Sequence, residues 1–158
     1  MKIGVISDTH GDIEATQQAV CILRSLRVSE LIHCGDVGIE ILPFLKDLRV
    51  HFVSGNMDDP DRLREALTEP EHTFHDQFGT LEIEGLRMAF LHGHDVRLLH
   101  QTIHSGQWDL VCHGHTHSFS QRVEGRTVVL NPGALSRTIR PSLAIVDFPS
   151  LEITEIPL

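Results

Sequence analysis

Apolar residues in this chain come in short runs, and most of the runs stop abruptly at a polar cluster. The first, KIGVIS at 2–7, is rich in β-branched residues and predicts a strand ending at Asp8. Thr9 to Asp12 is a polar turn, with Asp12 placed to cap a helix. Ile13, Ala19, Val20, Ile22, Leu23 and Leu26 recur at near-helical spacing and predict an amphipathic helix over 13–26. Further strands are expected at 30–34 and 50–54. Between them a short helix over 39–48 is interrupted early by Pro43. Another helix covers 60–67, where Pro60 suits a first turn.

The pattern then changes. Strands at 80–84 and 86–91 meet at Gly85 as a hairpin, 95–104 reads as a helix, and 109–112 as a strand. From 118 onward nearly everything reads as β: 119–123, a turn at Glu124-Gly125, 126–130, 142–147 and 151–156. The N-terminal half is therefore βαβαβ, and the C-terminal half reads as mainly antiparallel. Mixed sheets covered by helices satisfy both halves. No repeat, low-complexity tract or long linker divides the chain, so 1–158 is expected to be one domain.

The clusters that end the runs carry the chemistry. SDTH holds Asp8 and His10, HCGD holds Asp36, SGNMD holds Asn56, LHGH holds His92, and HGHTH holds His115 and His117. In an open α/β sheet, ligands bind in the crevice beyond the carboxyl ends of the strands. Clusters kept in that phase are expected to converge. Residues two apart in an extended segment point to one side, so Asp8 and His10 can grip one ion, as can His115 and His117. Asp36 can bridge two ions through its two oxygens, and Asn56 offers a neutral amide oxygen. Taken singly, each has an ordinary alternative: a helix cap for Asp8, an Asx turn for Asp36 or Asn56, a solvated loop position for the histidines. Together, two acids, one amide and four imidazoles can fill two metal sites with a shared bridge. Two ions about 3.5–4 Å apart are the usual machinery for phosphate-ester hydrolysis, polarising the phosphoryl oxygens and acidifying a bridging water. Mixed O/N ligands suit Mn²⁺, Fe, Zn²⁺ or Ni²⁺.

Composition narrows the partners. A hydrophobic fraction of 41% and a charged fraction of 22% place the chain in the globular class. A formal net charge of −9 argues against binding nucleic-acid polymers, which demand Lys/Arg stripes. It leaves a small phosphorylated substrate open, because bound cations reverse the charge locally. No apolar run reaches the length of a membrane span, and MKIGVISDTHGD turns polar too soon for a signal peptide. The expected compartment is the cytoplasm. Cys21, Cys34 and Cys112 form no CxxC and read as buried small hydrophobes. Ligation by Cys34 or Cys112 is the sharper alternative and would favour zinc.

The ordered motifs D8-T9-H10, G35-D36, G55-N56, H92 and G114-H115-T116-H117 closely resemble those of the calcineurin-like metallophosphoesterases. All five blocks are present, in order, across nearly the whole chain. The small size, HGH at 92–94 and NPG at 131–133 resemble the compact bacterial and archaeal phosphodiesterase branch, which also contains a eukaryotic retromer scaffold subunit. The resemblance implies an α/β fold, a four-layer α/β/β/α sandwich of two mixed β-sheets flanked by helices. It implies two divalent metal ions, Mn²⁺ foremost. Asp8, His10, Asp36 and His117 would hold the first, and Asp36, Asn56, His92 and His115 the second, with Asp36 bridging. Asp36, Asn56 and His92 are the expected catalytic residues. Many members carry a proton-donating His where this chain has Met57, which cannot donate. Losing a general acid costs about 10²–10⁴ in rate, so diesters and aryl esters are expected to react better than alkyl monoesters. Asp58 then reads as a helix N-cap or turn residue ahead of Pro60.

His94, two residues after His92, could face the same cavity, and with Asn56 it is the candidate substrate contact. Arg137 and Arg140 follow the NPG loop and could steady a phosphate, although surface charge is their simpler reading. His33 and His113 read as packed or hydrogen-bonded, and His51, His72, His75, His100 and His104 as surface or loop positions. Trp108 and Phe119 read as core. The leading expectation is a binuclear metal-dependent phosphodiesterase acting on a small, nucleotide-like phosphodiester. The alternatives are a protein-binding scaffold of the same fold and a mononuclear zinc hydrolase. A homodimer is compatible with any of them.

Overall fold

The β-branched run after Met1 becomes a central strand of a six-stranded sheet in the computed structural model, which describes residues 1–158. In this sheet β1 (Lys2–Ile6), β2 (Glu30–His33), β3 (Val50–Phe52) and β4 (His72–Phe74) run parallel. The last two strands, β10 (Ser142–Asp147) and β11 (Glu152–Pro157), extend it antiparallel on the other side of β1. The other sheet has five strands. It orders β5 (Phe78–Ile83), β6 (Leu86–Leu91), β7 (Leu110–Cys112), β9 (Thr127–Pro132) and β8 (Phe119–Glu124) in that sequence.

Burial explains the layers. Side chains alternate along a strand, and the inner strands are buried on both faces, which is why they read as unbroken apolar runs. Ile3, Val5, Ile32 and Cys34 face Met88, Phe90, Cys112 and Leu130 between the sheets. Ile6, Leu31, Val50 and Phe52 face outward under α1 (Ile13–Ser25), α2 (Leu42–Leu45) and α3 (Pro60–Ala66) through Ala19, Leu23, Leu45 and Leu63. On the far side Ala89, Leu91, Val111 and Val129 pack under Ile103 of α4 (Val96–His104). The result is a four-layer α/β/β/α sandwich of two mixed sheets. Asp12 caps α1, accepting from Ala15 N at 3.0 Å. No helix is long and apolar enough to cross a membrane.

Several expectations change. The C-terminal half is less antiparallel than its pattern suggests, because β6, β7 and β9 pair parallel, with α4 as one crossover. Strand β4 has no apolar pattern of its own; HTF is an edge held by its ladder to β3. Strand β5 begins two residues earlier than 80. The helix expected over 39–48 shrinks to a 3₁₀ turn at Ile39–Ile41 and one turn of α-helix, with Pro43 inside its first turn. Cys21 is exposed, not buried, while Cys34 and Cys112 are fully buried. His51 is a buried strand residue, bonded to Glu30 at 3.1 Å and His75 at 3.0 Å. Trp108 is half-buried against Phe78, and Phe119 against the inter-sheet core.

Candidate metal centre

The carboxyl ends of β1, β2, β3, β6 and β7 lie along one edge of the sandwich, and the loops that follow them are tied together by backbone bonds. Asp8 N donates to Gly35 O at 3.0 Å, His10 N to Asp36 O at 2.9 Å, and Gly114 N to His92 O at 2.9 Å. All seven residues singled out in the polar clusters meet there.

Asp8 Oδ1 sits at the middle. It is 3.0 Å from His117 Nε2, 3.7 Å from His10 Nε2 and 3.9 Å from His92 Nε2. Asp36 Oδ2 is 3.3 Å from His92 Nε2 and 3.7 Å from His10 Nε2. Asn56 Oδ1 is 3.2 Å from His92 Nε2, and His115 Nδ1 is 3.3 Å from it. Asp36 therefore neighbours histidines of both ligand sets, but only through Oδ2. Its Oδ1 accepts from Met57 N at 2.9 Å.

Strand alternation does not deliver these side chains. Asp8, His10, Asp36, His115 and His117 all lie in the left-handed region, with φ from 46° to 70°. Each such non-glycine position costs about 1–3 kcal/mol and persists only where the surroundings enforce it. Here the enforcing contacts are visible. Asp8 Oδ2 accepts from Ser7 Oγ at 2.6 Å and from His115 N at 3.1 Å. Asn131, the first residue of NPG, donates through Nδ2 to Gly114 O and Thr116 Oγ1, both at 2.9 Å, and pins the HGHTH loop. A Cβ on Gly114 would collide with Ser7 Oγ and Asp8 Oδ2.

Ring orientation exposes lone pairs. His92 Nδ1 donates to the Cys34 carbonyl at 2.8 Å, which turns Nε2 toward three oxygens, of Asn56, Asp36 and Asp8. His117 Nδ1 donates to the Arg137 carbonyl at 3.3 Å, leaving its Nε2 bare toward Asp8. Such a gathering of acceptors demands a cation. Burial disfavours charge on His92, but the bond to Asp36 and the fields of Asp36 and Asp8 prevail and hold its pKa above the ordinary imidazole range. Burial likewise opposes ionisation of Asp36, yet His92 and the Met57 N–H pull its carboxyl down to about 2. Asp8 Oδ1 is buried and has no hydrogen-bond partner at all. A buried carboxylate oxygen without a donor is costly, and a divalent cation among these oxygen and imidazole donors removes the cost. Asp8, His10 and His117, and Asp8, Asp36 and His92, are each spaced to hold such an ion.

Three residues were less legible in the sequence. Asp58 is not the helix cap; Asp59 caps α3, accepting from Asp61 N at 3.0 Å and Arg62 N at 3.2 Å. Asp58 instead accepts from Val37 N at 2.9 Å, Gly38 N at 3.4 Å and Gly55 N at 2.8 Å, clamping the Asp36 loop to the Asn56 loop. Burial raises its carboxyl above the usual range against those three donors. His94 stays outside the donor set, its ring centroid 5.5 Å from His92 and 6.3 Å from His115. Arg137, whose simpler reading was surface charge, lines the cavity beside His10 and Asp36, whereas Arg140 does not.

A two-sheet α/β sandwich with Asp, Asn and His donors at one edge defines a metallophosphoesterase. The chain belongs to the calcineurin-like phosphoesterase superfamily, whose domain matches residues 1–150; it is a hydrolase acting on phosphoric ester bonds. It is similar to a phosphodiesterase of Methanocaldococcus jannaschii, 33% identical over 165 residues that cover 100% of this chain and 99% of the relative. The solved structure of an archaeal phosphodiesterase aligns with a TM-score of 0.88 at 32% identity over 100% of both chains. The Escherichia coli phosphoesterase YfcE shares the fold, with a TM-score of 0.72 at 18% identity over 99% and 98% of the two chains.

Proposed function

We propose that this chain is a binuclear metal-dependent phosphodiesterase whose substrate is a small, nucleotide-like phosphodiester. The observation that carries the reading is the unpartnered, fully buried Asp8 Oδ1 ringed by His10, His92 and His117. Asp8, His10, Asp36 and His117 would hold one cation, and Asp36, Asn56, His92 and His115 the other. When bound, two divalent ions, Mn²⁺ the expected pair, supply Lewis acidity toward the phosphoryl oxygens and a water acidic enough to attack near neutral pH.

The protein supplies the rest. His92 and the Met57 N–H fix the Asp36 carboxylate and keep it anionic at any pH near neutral, against the opposing effect of burial. Asn56 is exposed at the rim, so its amide is free to donate to a phosphoryl oxygen as negative charge builds there. Met57 stands exposed at the mouth and cannot protonate a departing alkoxide. Without a proton from that position, aryl and other acidic alcohols are the favoured leaving groups. The formal charge of −9 supports a small substrate over a nucleic-acid polymer, whose backbone calls for a Lys/Arg stripe.

The test is hydrolysis of bis(p-nitrophenyl) phosphate with added Mn²⁺, alongside metal analysis of wild type and Asp36→Ala. Turnover by wild type, lost in the variant, with two ions per chain, supports the reading. One ion per chain removes the binuclear mechanism. A fully metal-loaded but silent wild type removes catalysis and leaves a scaffold of the same fold.

A further inference from the structure

The candidate centre opens into a cavity of about 150 Å³ lined by His10, Asp36, Gly38, Met57, Asp58 and Arg137. Beyond Met57 another hollow, of about 220 Å³, shares Gly38, Met57 and Asp58 and is completed by Ile39, Glu40, Asp59, Arg62 and Leu63. Arg137 is the only side chain on the first cavity's wall that carries a fixed positive charge. Its neighbours there, Asp36 and Asp58, are acidic, and the whole chain is strongly anionic. An anionic substrate reaching this place therefore meets a repulsive field that one guanidinium offsets.

The Arg137 guanidinium is also free of any carboxylate of this chain. Five arginines, Arg24, Arg49, Arg64, Arg122 and Arg126, each hold a carboxylate of this chain in an ion pair; of those that hold none, Arg137 is the one on the wall of the cavity beside His10 and Asp36. Its backbone, by contrast, is fastened. Leu135 N donates to Ser7 O and Ser136 N to Asp8 O, both at 3.1 Å, and the Arg137 carbonyl accepts from His117. The residue sits at φ 57°, held in the left-handed region beside a candidate ligand. A root this firmly fixed, carrying an unpaired planar fork beside the candidate centre, matches the geometry of phosphate recognition.

We infer that Arg137 is a substrate-binding residue, its guanidinium forking onto a non-bridging oxygen of the phosphoryl group, with the rest of the ester leaving over Met57 into the neighbouring hollow. This rests on the phosphoesterase reading of the site, but it is tested separately from turnover, with inorganic phosphate as the probe.

The experiment is calorimetric titration of phosphate into Mn²⁺-loaded wild type, Arg137→Ala, Arg137→Lys and Arg140→Ala, with metal content measured on each. Loss of a charge-assisted hydrogen bond predicts about 10- to 100-fold weaker phosphate binding for Arg137→Ala. Partial recovery is expected in Arg137→Lys, which keeps the charge and loses the fork. Arg140→Ala should bind as wild type does, and metal content should be equal throughout. KM for bis(p-nitrophenyl) phosphate should rise in the same order. Phosphate binding within twofold of wild type in a metal-loaded Arg137→Ala protein overturns the inference, as does a loaded wild type that binds no phosphate. If Arg137→Ala does not fold, the Arg137→Lys comparison decides. Wild type that binds phosphate through Arg137 yet hydrolyses no diester keeps this inference and removes the catalytic one.

Discussion

Removing the Asp58 carboxylate should loosen two of the loops that form the centre without touching a candidate ligand. In Asp58→Ala the N–H groups of Val37 and Gly55, both buried, lose their acceptor, and no other acceptor is bonded to either. Each stranded donor costs about 1–3 kcal/mol, so the pair costs about 2–6 kcal/mol. For a domain of this size that lowers Tm by roughly 4–24 °C, at about 2–4 °C per kcal/mol. Val37 adjoins Asp36 and Gly55 adjoins Asn56, so metal retention and turnover should fall as well. The control is Asp59→Ala, which removes only the α3 cap and should cost about 1 kcal/mol. The assay is thermal unfolding with and without Mn²⁺, followed by metal analysis and turnover. An Asp58→Ala protein that melts within about 1 °C of wild type, or no lower than Asp59→Ala, refutes the clamp.

Other outcomes follow from particular contacts. His33 is fully buried, accepting from Gly35 N at 3.2 Å and paired with Thr9 Oγ1 at 2.8 Å, and burial followed by the nearby His92 lowers its pKa to about 3. Its folded pKa is depressed, so its stability contribution is complete above its unfolded value of about 6.5 and is lost as pH falls toward 3, up to about 4–5 kcal/mol at ~1.4 kcal/mol per unit. Urea unfolding at pH 7, 5 and 4 should show that fall, with a shallower slope in His33→Asn; equal slopes would remove His33 as the cause. Turnover should drop at least roughly tenfold further in His115→Ala or Asn56→Ala than in His94→Ala, because only the first two reach His92 Nε2. Equal losses in all three would erase that distinction. Gly114→Ala should drive Asp8 off its position and weaken Mn²⁺ affinity about 10- to 100-fold, and unchanged affinity by titration would show that the loop can yield.

The residues of the centre could be read in the chain because chemistry leaves few substitutes for them. Carboxylate, amide and imidazole donors come from only a few residue types, and each cluster is announced by the apolar run before it, which is dictated by burial on both strand faces. The helix starts were legible for a similar local reason, since Asp12 and Pro60 act within one turn. What the one-dimensional pattern lacked was anything set by distant pairing. Strand β4 exists through its ladder to β3, and β6, β7 and β9 align parallel through crossovers their own residues do not encode. The reason Asp8 and His10 converge also lay outside the pattern. Extended alternation was the expected cause, but left-handed backbone enforced by Ser7, Asn131 and the neighbouring loops is the observed one. The exchange of roles between Asp58 and Asp59 is decided the same way. Either aspartate can cap a helix in isolation, and only the approach of the Asp36 loop, brought there by two parallel strands, draws one of them across the cleft.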